Sequence, residues 1–249
     1  MLVSRSGDKL RRAVDSIALQ EPDEFRAYMD PHADNQHDIQ KVLKDANAHV
    51  LMQHPHLAAN NHENYVHNVH RAMLEAEHPW IIKFDDDDEM LGSQRKELIW
   101  LYGHSNVGII HGDKVVDYPF LQYLRTRQFL QFAKSLVKPT LFLGAPVSSY
   151  RDVRFKIWAR TTIIDTKAFR QIHPLLDHGY FCDWKMFYWI LRRGWQAVYV
   201  PEILLRQTVN AHASPERKRF WGKWTEIMDE MEHEAVLEER GLAASTLPG

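Results

Sequence analysis

The sequence contains one cysteine, Cys182, in 249 residues, so no disulfide bond can form within the chain. It lacks any run of about 18 apolar residues, the length that a membrane-spanning helix requires, and its first residues lack the apolar stretch of a signal peptide. Charge of one sign is not in excess either, because 31 Lys and Arg against 33 Asp and Glu give a net charge of −2. We therefore expect a globular protein that is located in the cytoplasm and has no general affinity for polyanions.

No internal repeat or low-complexity tract interrupts the chain, and its apolar residues follow strand and helix spacings. Over the first 84 residues these spacings predict strands at 2–3, 25–29, 48–52 and 80–84, and helices at 9–19 and 63–77. This alternation is typical of an α/β fold with a mostly parallel sheet flanked by helices. The remaining strands are predicted at 107–110, 157–164 and 197–200, with a helix at 183–193.

Four aspartates and a glutamate occupy residues 85–89, directly after the apolar run 80–84. Carboxylates at this density repel one another unless a cation neutralises part of their charge. Hard oxygen ligands suit Mg²⁺ or Mn²⁺, and open α/β sheets bind ligands at the carboxyl ends of their strands. The pattern therefore predicts a divalent-cation site, and a solvated acidic turn is the alternative.

The segment 84–91, Phe-Asp-Asp-Asp-Asp-Glu-Met-Leu, resembles the DXD segment of GT-A fold glycosyltransferases of family 2. The resemblance implies that Asp85 contacts the donor ribose or the metal, and that Asp87 coordinates the Mn²⁺ or Mg²⁺ ion bridging the donor diphosphate. Asp86, between them, is assigned to the donor site. The implied fold is GT-A, Rossmann-like. Its nucleotide-sugar-binding half is expected at 1–105, its acceptor-binding half at 106–212, and a C-terminal amphipathic helix and tail at 213–249.

Four more residues match donor-binding positions of that family. Ser4 and Arg5 lie in a segment similar to the family's opening turn. Asp30 matches the aspartate that follows the second strand and contacts the nucleotide base. Asn61 belongs to a stretch that resembles the one opening the helix before the DXD segment. The resemblance thus implies a nucleotide-sugar donor held by several segments of the first half.

Residues 180–184, Tyr-Phe-Cys-Asp-Trp, resemble the family's acidic element at the start of a helix, where Asp183 matches the catalytic base. Cys182 stands where the family usually has an acidic residue. A helix N-cap is the alternative role for Asp183. His212 follows the last predicted core strand, where some GT-A enzymes place a metal-binding histidine, and a surface-loop histidine is the alternative there.

The second half carries basic and aromatic residues on the expected acceptor side. Arg160 lies in the predicted strand 157–164, and Arg125, Arg127 and Lys134 are interleaved with phenylalanines. Such a mixture suits sugar rings, phosphates or nucleic acid, and a helix with a solvated basic face is the alternative. We expect an inverting glycosyltransferase acting on a glycan, a small molecule or a hydroxylated base in DNA. A nucleotidyltransferase and a non-catalytic nucleotide-sugar-binding module are the other hypotheses.

Overall fold

The computed structural model describes most of residues 1–208 and a few residues near the C-terminus. Residues 1–209 form one compact unit and residues 210–249 a second. The described residues are 1–3, 7–33, 35–53, 61–117, 147, 153, 157, 159–176, 182–208, 229, 230, 233, 236 and 237. The last five are helical and lie in the region of the predicted C-terminal helix, whose apolar stripe falls outside the described residues. Within the described ranges, no helix is long and apolar enough to cross a membrane.

The first part of the chain builds a three-stranded parallel sheet in the order β1-β2-β3. Its elements are β1 (Leu2–Val3), α1 (Asp8–Ala18), β2 (Arg26–Met29), α2 (Gln36–Asp45) and β3 (His49–Met52). The helical spacing of the apolar residues in α1 explains its packing, because Leu10, Val14 and Ile17 all become buried. The parallel α/β beginning that the sequence predicts is therefore confirmed.

A second, five-stranded sheet has the order β4-β7-β6-β8-β5 and is mixed. Strands β6 and β8 are parallel, whereas β4 with β7, β7 with β6, and β5 with β8 are antiparallel. The elements are α3 (Asn61–Leu74), β4 (Trp80–Ile82), β5 (Glu89–Met90), α4 (Arg95–Tyr102), β6 (Val107–Asp117), β7 (Ile163–Asp165), α5 (Thr166–Ile172), α6 (Cys182–Arg192) and β8 (Gln196–Thr208), with 3₁₀ turns at Ala159–Thr161 and His173–Leu175. The predicted α/β class with flanking helices is thus confirmed, and the antiparallel strands lie in its second half.

Several strand predictions differ from the structure in their bounds, and two of them bear on the residues of the site. The strand predicted at 80–84 ends at Ile82 and pairs antiparallel with β7. The strand predicted at 157–164 begins only at Ile163, because Ala159–Thr161 forms a 3₁₀ turn. This turn directs Arg160 away from the sheet ladder and toward the acidic residues described below.

Helix α6 packs directly on the backbone of β6. A β-carbon at Gly108 would lie 2.8 Å from side-chain atoms of both Ile190 and Trp195, so only glycine allows this approach. The neighbouring Ile109 and Ile164 are fully buried. This packing fixes the helix whose first turn carries Asp183.

Strand β6 also buries a histidine, His111, with no exposed surface. Neither of its ring nitrogens has a hydrogen-bond partner in the described part of the chain. Burial lowers the pKa of His111 from its ordinary 6.5 to about 4, so the ring is neutral in the folded protein at neutral pH. The ring centre lies 5.5 Å from that of Tyr199 on β8.

We expect acid to destabilise the fold through His111. The unfolded chain takes up the proton near the ordinary pKa of 6.5, whereas the folded chain resists until about 4, so stability is lost as pH falls through that window. Between about pH 7.5 and about pH 5 the loss is about 2 kcal/mol. His111→Phe keeps an apolar ring beside Tyr199 and removes the pH-dependent contribution of His111 to the free energy of unfolding. Urea unfolding at both pH values should show the parent losing about 2 kcal/mol more than the variant, and equal losses would contradict the assignment.

Candidate active site

The four aspartates 85–88 form a turn, called here the acidic turn, between β4 and β5. Asp86, Asp87 and Asp88 are all buried, with 7%, 8% and 0% of their surface exposed. Helix α1 holds the exit of the turn, because the Met90 backbone N–H donates to Ser16 Oγ at 2.9 Å. The apolar strand before the turn and this contact after it draw the carboxylates inward instead of leaving them in solvent.

Asp88 is fully buried, and each of its carboxylate oxygens accepts a hydrogen bond from a protein donor. Its Oδ1 accepts the backbone N–H of Thr208 at 3.1 Å, and its Oδ2 accepts Nη1 of Arg160 at 2.7 Å. Burial raises the pKa of Asp88 to about 6, with Arg160 opposing that rise and the neighbouring Asp85 and Asp87 adding to it. Asp88 therefore anchors the end of β8 and the 3₁₀ turn of Arg160 to the acidic turn.

Asp85 also has both carboxylate oxygens engaged. Its Oδ1 accepts the Tyr65 hydroxyl at 3.0 Å, and its Oδ2 lies 2.8 Å from Nη2 of Arg160. Burial alone would raise the pKa of Asp85, but Arg160, Lys83 and the Tyr65 hydroxyl outweigh it and lower the pKa. One guanidinium thus bridges the first and the last carboxylate of the turn.

Asp183 lies in the first turn of α6 and is paired with Lys83, which follows β4. The Lys83 Nζ is 3.2 Å from each carboxylate oxygen of Asp183, and it also lies 5.6 Å from the centre of the Tyr65 ring. The N-cap alternative is wrong, because the helix begins at Cys182, one residue before Asp183. Through Lys83 and Tyr65, Asp183 is connected to Asp85 and so to the acidic turn.

The carboxylate oxygens of the acidic turn are suitable ligands for a divalent cation. Among the residues that the structure describes, no group of three or more His, Cys, Asp or Glu side chains is arranged to hold a metal. Mg²⁺ and similar ions need no such group, because they are commonly bound by one or two carboxylates together with substrate phosphates. Asp87 is a carboxylate of this kind, and Asp85 is another that also makes the contacts to Tyr65 and Arg160 given above. Glu89 faces two arginines, since Arg206 and Arg12 lie 3.0 and 3.4 Å from its two oxygens.

The other residues expected at the site have separate positions. Asp30 follows β2, and its Oδ1 accepts the backbone N–H of His32 at 2.8 Å, which closes a local turn. Asn61 begins α3, the helix that also carries Tyr65. Ser4, Arg5, His212 and the basic residues Arg125, Arg127 and Lys134 lie outside the described residues. The structure therefore brings together Asp85–Asp88 with Asp183 through Lys83 and Tyr65.

Two residues of the site, Lys83 and Tyr65, were missed from the sequence, and Arg160 was assigned to another position. The expectation that Arg160 faces an acceptor from a strand is wrong, because it lies in a 3₁₀ turn on Asp85 and Asp88. A signal existed for Lys83, which is the one charged residue in the apolar run 80–84. Nothing local distinguishes Tyr65.

An apolar cavity of about 220 Å³ lies behind the site. Its described lining includes Phe25, Met73, Ile82 and Ile99, and it reaches Lys83 but none of the acidic turn. Basic side chains such as Arg26, Arg95 and Lys96 line it as well. The acidic turn is the candidate site, because its carboxylates carry the chemistry that a metal-bound diphosphate needs and the cavity does not include them.

The fold that carries this acidic turn is similar to the GT-A-like fold of solved glycosyltransferase structures. No family model matches the chain, and no curated protein matches it in sequence. The fold assignment rests on solved structures.

The chain is similar to TarS, a glycosyltransferase from S. aureus. A crystal structure of TarS superposes with a TM-score of 0.58 and 12% identity over 84% of this chain and 36% of TarS. TarS 1–349 with UDP gives a TM-score of 0.53 and 12% identity, over 87% of this chain and 61% of that one. TarS 1–349 with UDP-GlcNAc gives a TM-score of 0.54 and 11% identity, over 88% of this chain and 63% of that one. The chain therefore spans about a third of TarS, and at this identity the likeness establishes the fold.

Proposed function

We propose that this chain is a metal-dependent glycosyltransferase that moves a sugar from a nucleotide-sugar donor to an acceptor hydroxyl with inversion. The observation that carries the proposal is the short chain of contacts joining two carboxylate sites. Asp183 pairs with Lys83, Lys83 lies on Tyr65, and Tyr65 donates to Asp85. A transferase needs a base close to the place where the donor's leaving group is held, and a simple binding module has no use for that proximity.

The donor side is formed by the acidic turn and the strand ends near it. Asp87, together with Asp85, would hold a Mn²⁺ or Mg²⁺ ion, and His212 is a further proposed ligand. Such an ion, when bound, supplies positive charge to the departing diphosphate. Asp30 is proposed for the base, and Ser4, Arg5, Asn61 and Asp86 for the remainder of the nucleotide sugar, on the basis of the family resemblance. The crystal structures of TarS with UDP and UDP-GlcNAc support a uridine nucleotide as the first ligand to test.

Asp183 is proposed as the general base. An acceptor hydroxyl is a weak nucleophile, so a positioned carboxylate must accept its proton as the new bond forms. Lys83 holds both oxygens of Asp183 at 3.2 Å, and this ion pair fixes the direction of the carboxylate. Attack from the face opposite the leaving diphosphate inverts the anomeric centre.

The acceptor is proposed as a hydroxyl of a glycan or small molecule, or of a hydroxylated base in DNA. The polyanion hypothesis depends on Arg125, Arg127 and Lys134, which lie outside the described residues. A salt dependence of acceptor affinity separates these cases, because each phosphate contact adds about 0.7 to 0.9 to the log–log slope.

A thermal-shift experiment tests the donor proposal directly. With Mn²⁺ and UDP-GlcNAc at about 100 times the dissociation constant, binding stabilises the fold by about 2.7 kcal/mol and should raise Tm by roughly 5–10 °C. Mn²⁺-dependent release of UDP without acceptor would further support a transferase. Binding without release would favour the non-catalytic module, and a response to nucleoside triphosphates alone would favour nucleotidyl transfer. No shift with any nucleotide sugar would contradict the proposal.

A further inference from the structure

Arg160 is a cation that contacts both ends of the acidic turn. Its Nη1 lies 2.7 Å from Asp88 Oδ2, and its Nη2 lies 2.8 Å from Asp85 Oδ2. The carboxylates of the pair are shielded from water, because the side chains of Asp88 and Asp85 are 0% and 16% exposed, while that of Arg160 is 30% exposed. An ion pair shielded from water in this way is stronger than one at the surface.

Asp88 prevents Arg160 from moving far. The Asp88 carboxylate is buried and also accepts the backbone N–H of Thr208, so leaving it without a cation would be costly. Arg160 therefore keeps one nitrogen on Asp88 whatever happens at Asp85. A divalent cation that binds Asp85 must then lie within a few ångströms of a positive guanidinium, and the two repel each other.

We propose that Arg160 is a built-in competitor of the metal, so that the acidic turn takes up a divalent cation tightly only together with a diphosphate. A nucleoside diphosphate carries more negative charge than the cation carries positive charge, and the diphosphate of a nucleotide sugar carries as much. In either complex the charge of the metal is offset, so its repulsion with Arg160 is relieved, whereas the cation alone leaves that repulsion in full. This inference rests on the proposed donor site, and it assigns Arg160 as a positioning residue that couples metal binding to donor binding.

Mn²⁺ binding without nucleotide tests the inference, measured by the electron paramagnetic resonance signal of free Mn²⁺. Arg160→Gln removes the competing charge while its amide still donates to a carboxylate. It should bind Mn²⁺ at least about tenfold more tightly than the parent. Arg12→Gln is the matched control, because Arg12 carries the same charge and lies 3.4 Å from Glu89 in the adjoining strand. Its Mn²⁺ affinity should stay within about threefold of the parent.

The same measurement in the presence of UDP gives the coupling between the two ligands. UDP should tighten Mn²⁺ binding in the parent by at least about tenfold more than in Arg160→Gln, as linkage requires if Arg160 mediates the coupling. If the parent binds no nucleotide at all, the proposed function is wrong. The measurement with Mn²⁺ alone then still decides the role of Arg160.

Arg160→Lys keeps the experiment decisive if Arg160→Gln has a strongly reduced Tm. One ammonium group lacks the two-nitrogen fork that bridges Asp85 and Asp88, so its Mn²⁺ affinity should lie between those of the parent and the glutamine variant. Arginine variants that bind Mn²⁺ no more tightly than the parent would overturn the inference. So would an Arg12→Gln variant that gains as much affinity as Arg160→Gln, because the effect would then be one of net charge.

Discussion

Asp87→Ala should remove Mn²⁺-dependent binding of UDP or UDP-GlcNAc while leaving the fold intact. We expect affinity to fall by at least about 100-fold, or about 2.7 kcal/mol, because Asp87 is the proposed direct ligand of the metal. The fold should tolerate the change, because removing one of four adjacent carboxylates relieves repulsion within the turn. Isothermal calorimetry with and without Mn²⁺ measures the loss, and Tm should stay within about 3 °C.

The matched control for this experiment is Asp38→Ala in α2, which removes one carboxylate that is 71% exposed. It should leave nucleotide affinity unchanged and so account for any effect of net charge. If Asp87→Ala binds the nucleotide as tightly as the parent in Mn²⁺, the assignment of the acidic turn as the metal site is wrong.

Asp183→Asn should retain donor affinity and lose transfer activity by a factor on the order of 10² or more, the usual scale for a general base. Asparagine has nearly the same shape and can still accept one hydrogen bond from Lys83. It cannot balance the charge of Lys83, whose side chain is 11% exposed, so we expect a moderate loss of stability as well. The sequence alone, which shows no partner for Asp183, predicts little change in stability.

Release of UDP from UDP-GlcNAc serves as the measurement for Asp183→Asn until the acceptor is identified, and calorimetry with UDP checks that the donor still binds. A melting curve separates lost chemistry from lost folding. Turnover within about twofold of the parent would show that Asp183 only holds Lys83 in place.

Local patterns in the sequence were sufficient for helices α1, α3 and α6 and for the beginning of the fold, whereas α2, α4 and α5 were not predicted. The helix predicted at 9–19 occupies Asp8–Ala18, and the helix predicted at 183–193 occupies Cys182–Arg192. Strand β6 was predicted only to residue 110 and extends to Asp117, because polar residues such as His111 and Asp113 interrupt its apolar pattern while still being buried. Apolar periodicity cannot reveal a strand whose inward side chains are polar.

Strand partners and cross-site contacts could not be predicted for a different reason. The pairing of β4 with β7 joins residues more than 80 positions apart, as Trp80 and Asp165 show. Arg160 lies 72 positions from Asp88, and Lys83 lies 100 positions from Asp183. Each of these residues has ordinary sequence neighbours, so its role becomes visible only when the fold closes. The acidic turn was predictable because its four aspartates are consecutive.

The hydrogen bond from the Thr208 backbone to buried Asp88 has a consequence for local opening of the protein. The last residue of β8 cannot fray without leaving a buried carboxylate short of a donor, and the acidic turn cannot swing outward without freeing the end of β8. Segments that lose their contacts together open as one cooperative unit. The amide proton of Thr208 should therefore exchange with solvent as slowly as the turn itself opens, although Thr208 is the terminal residue of its strand.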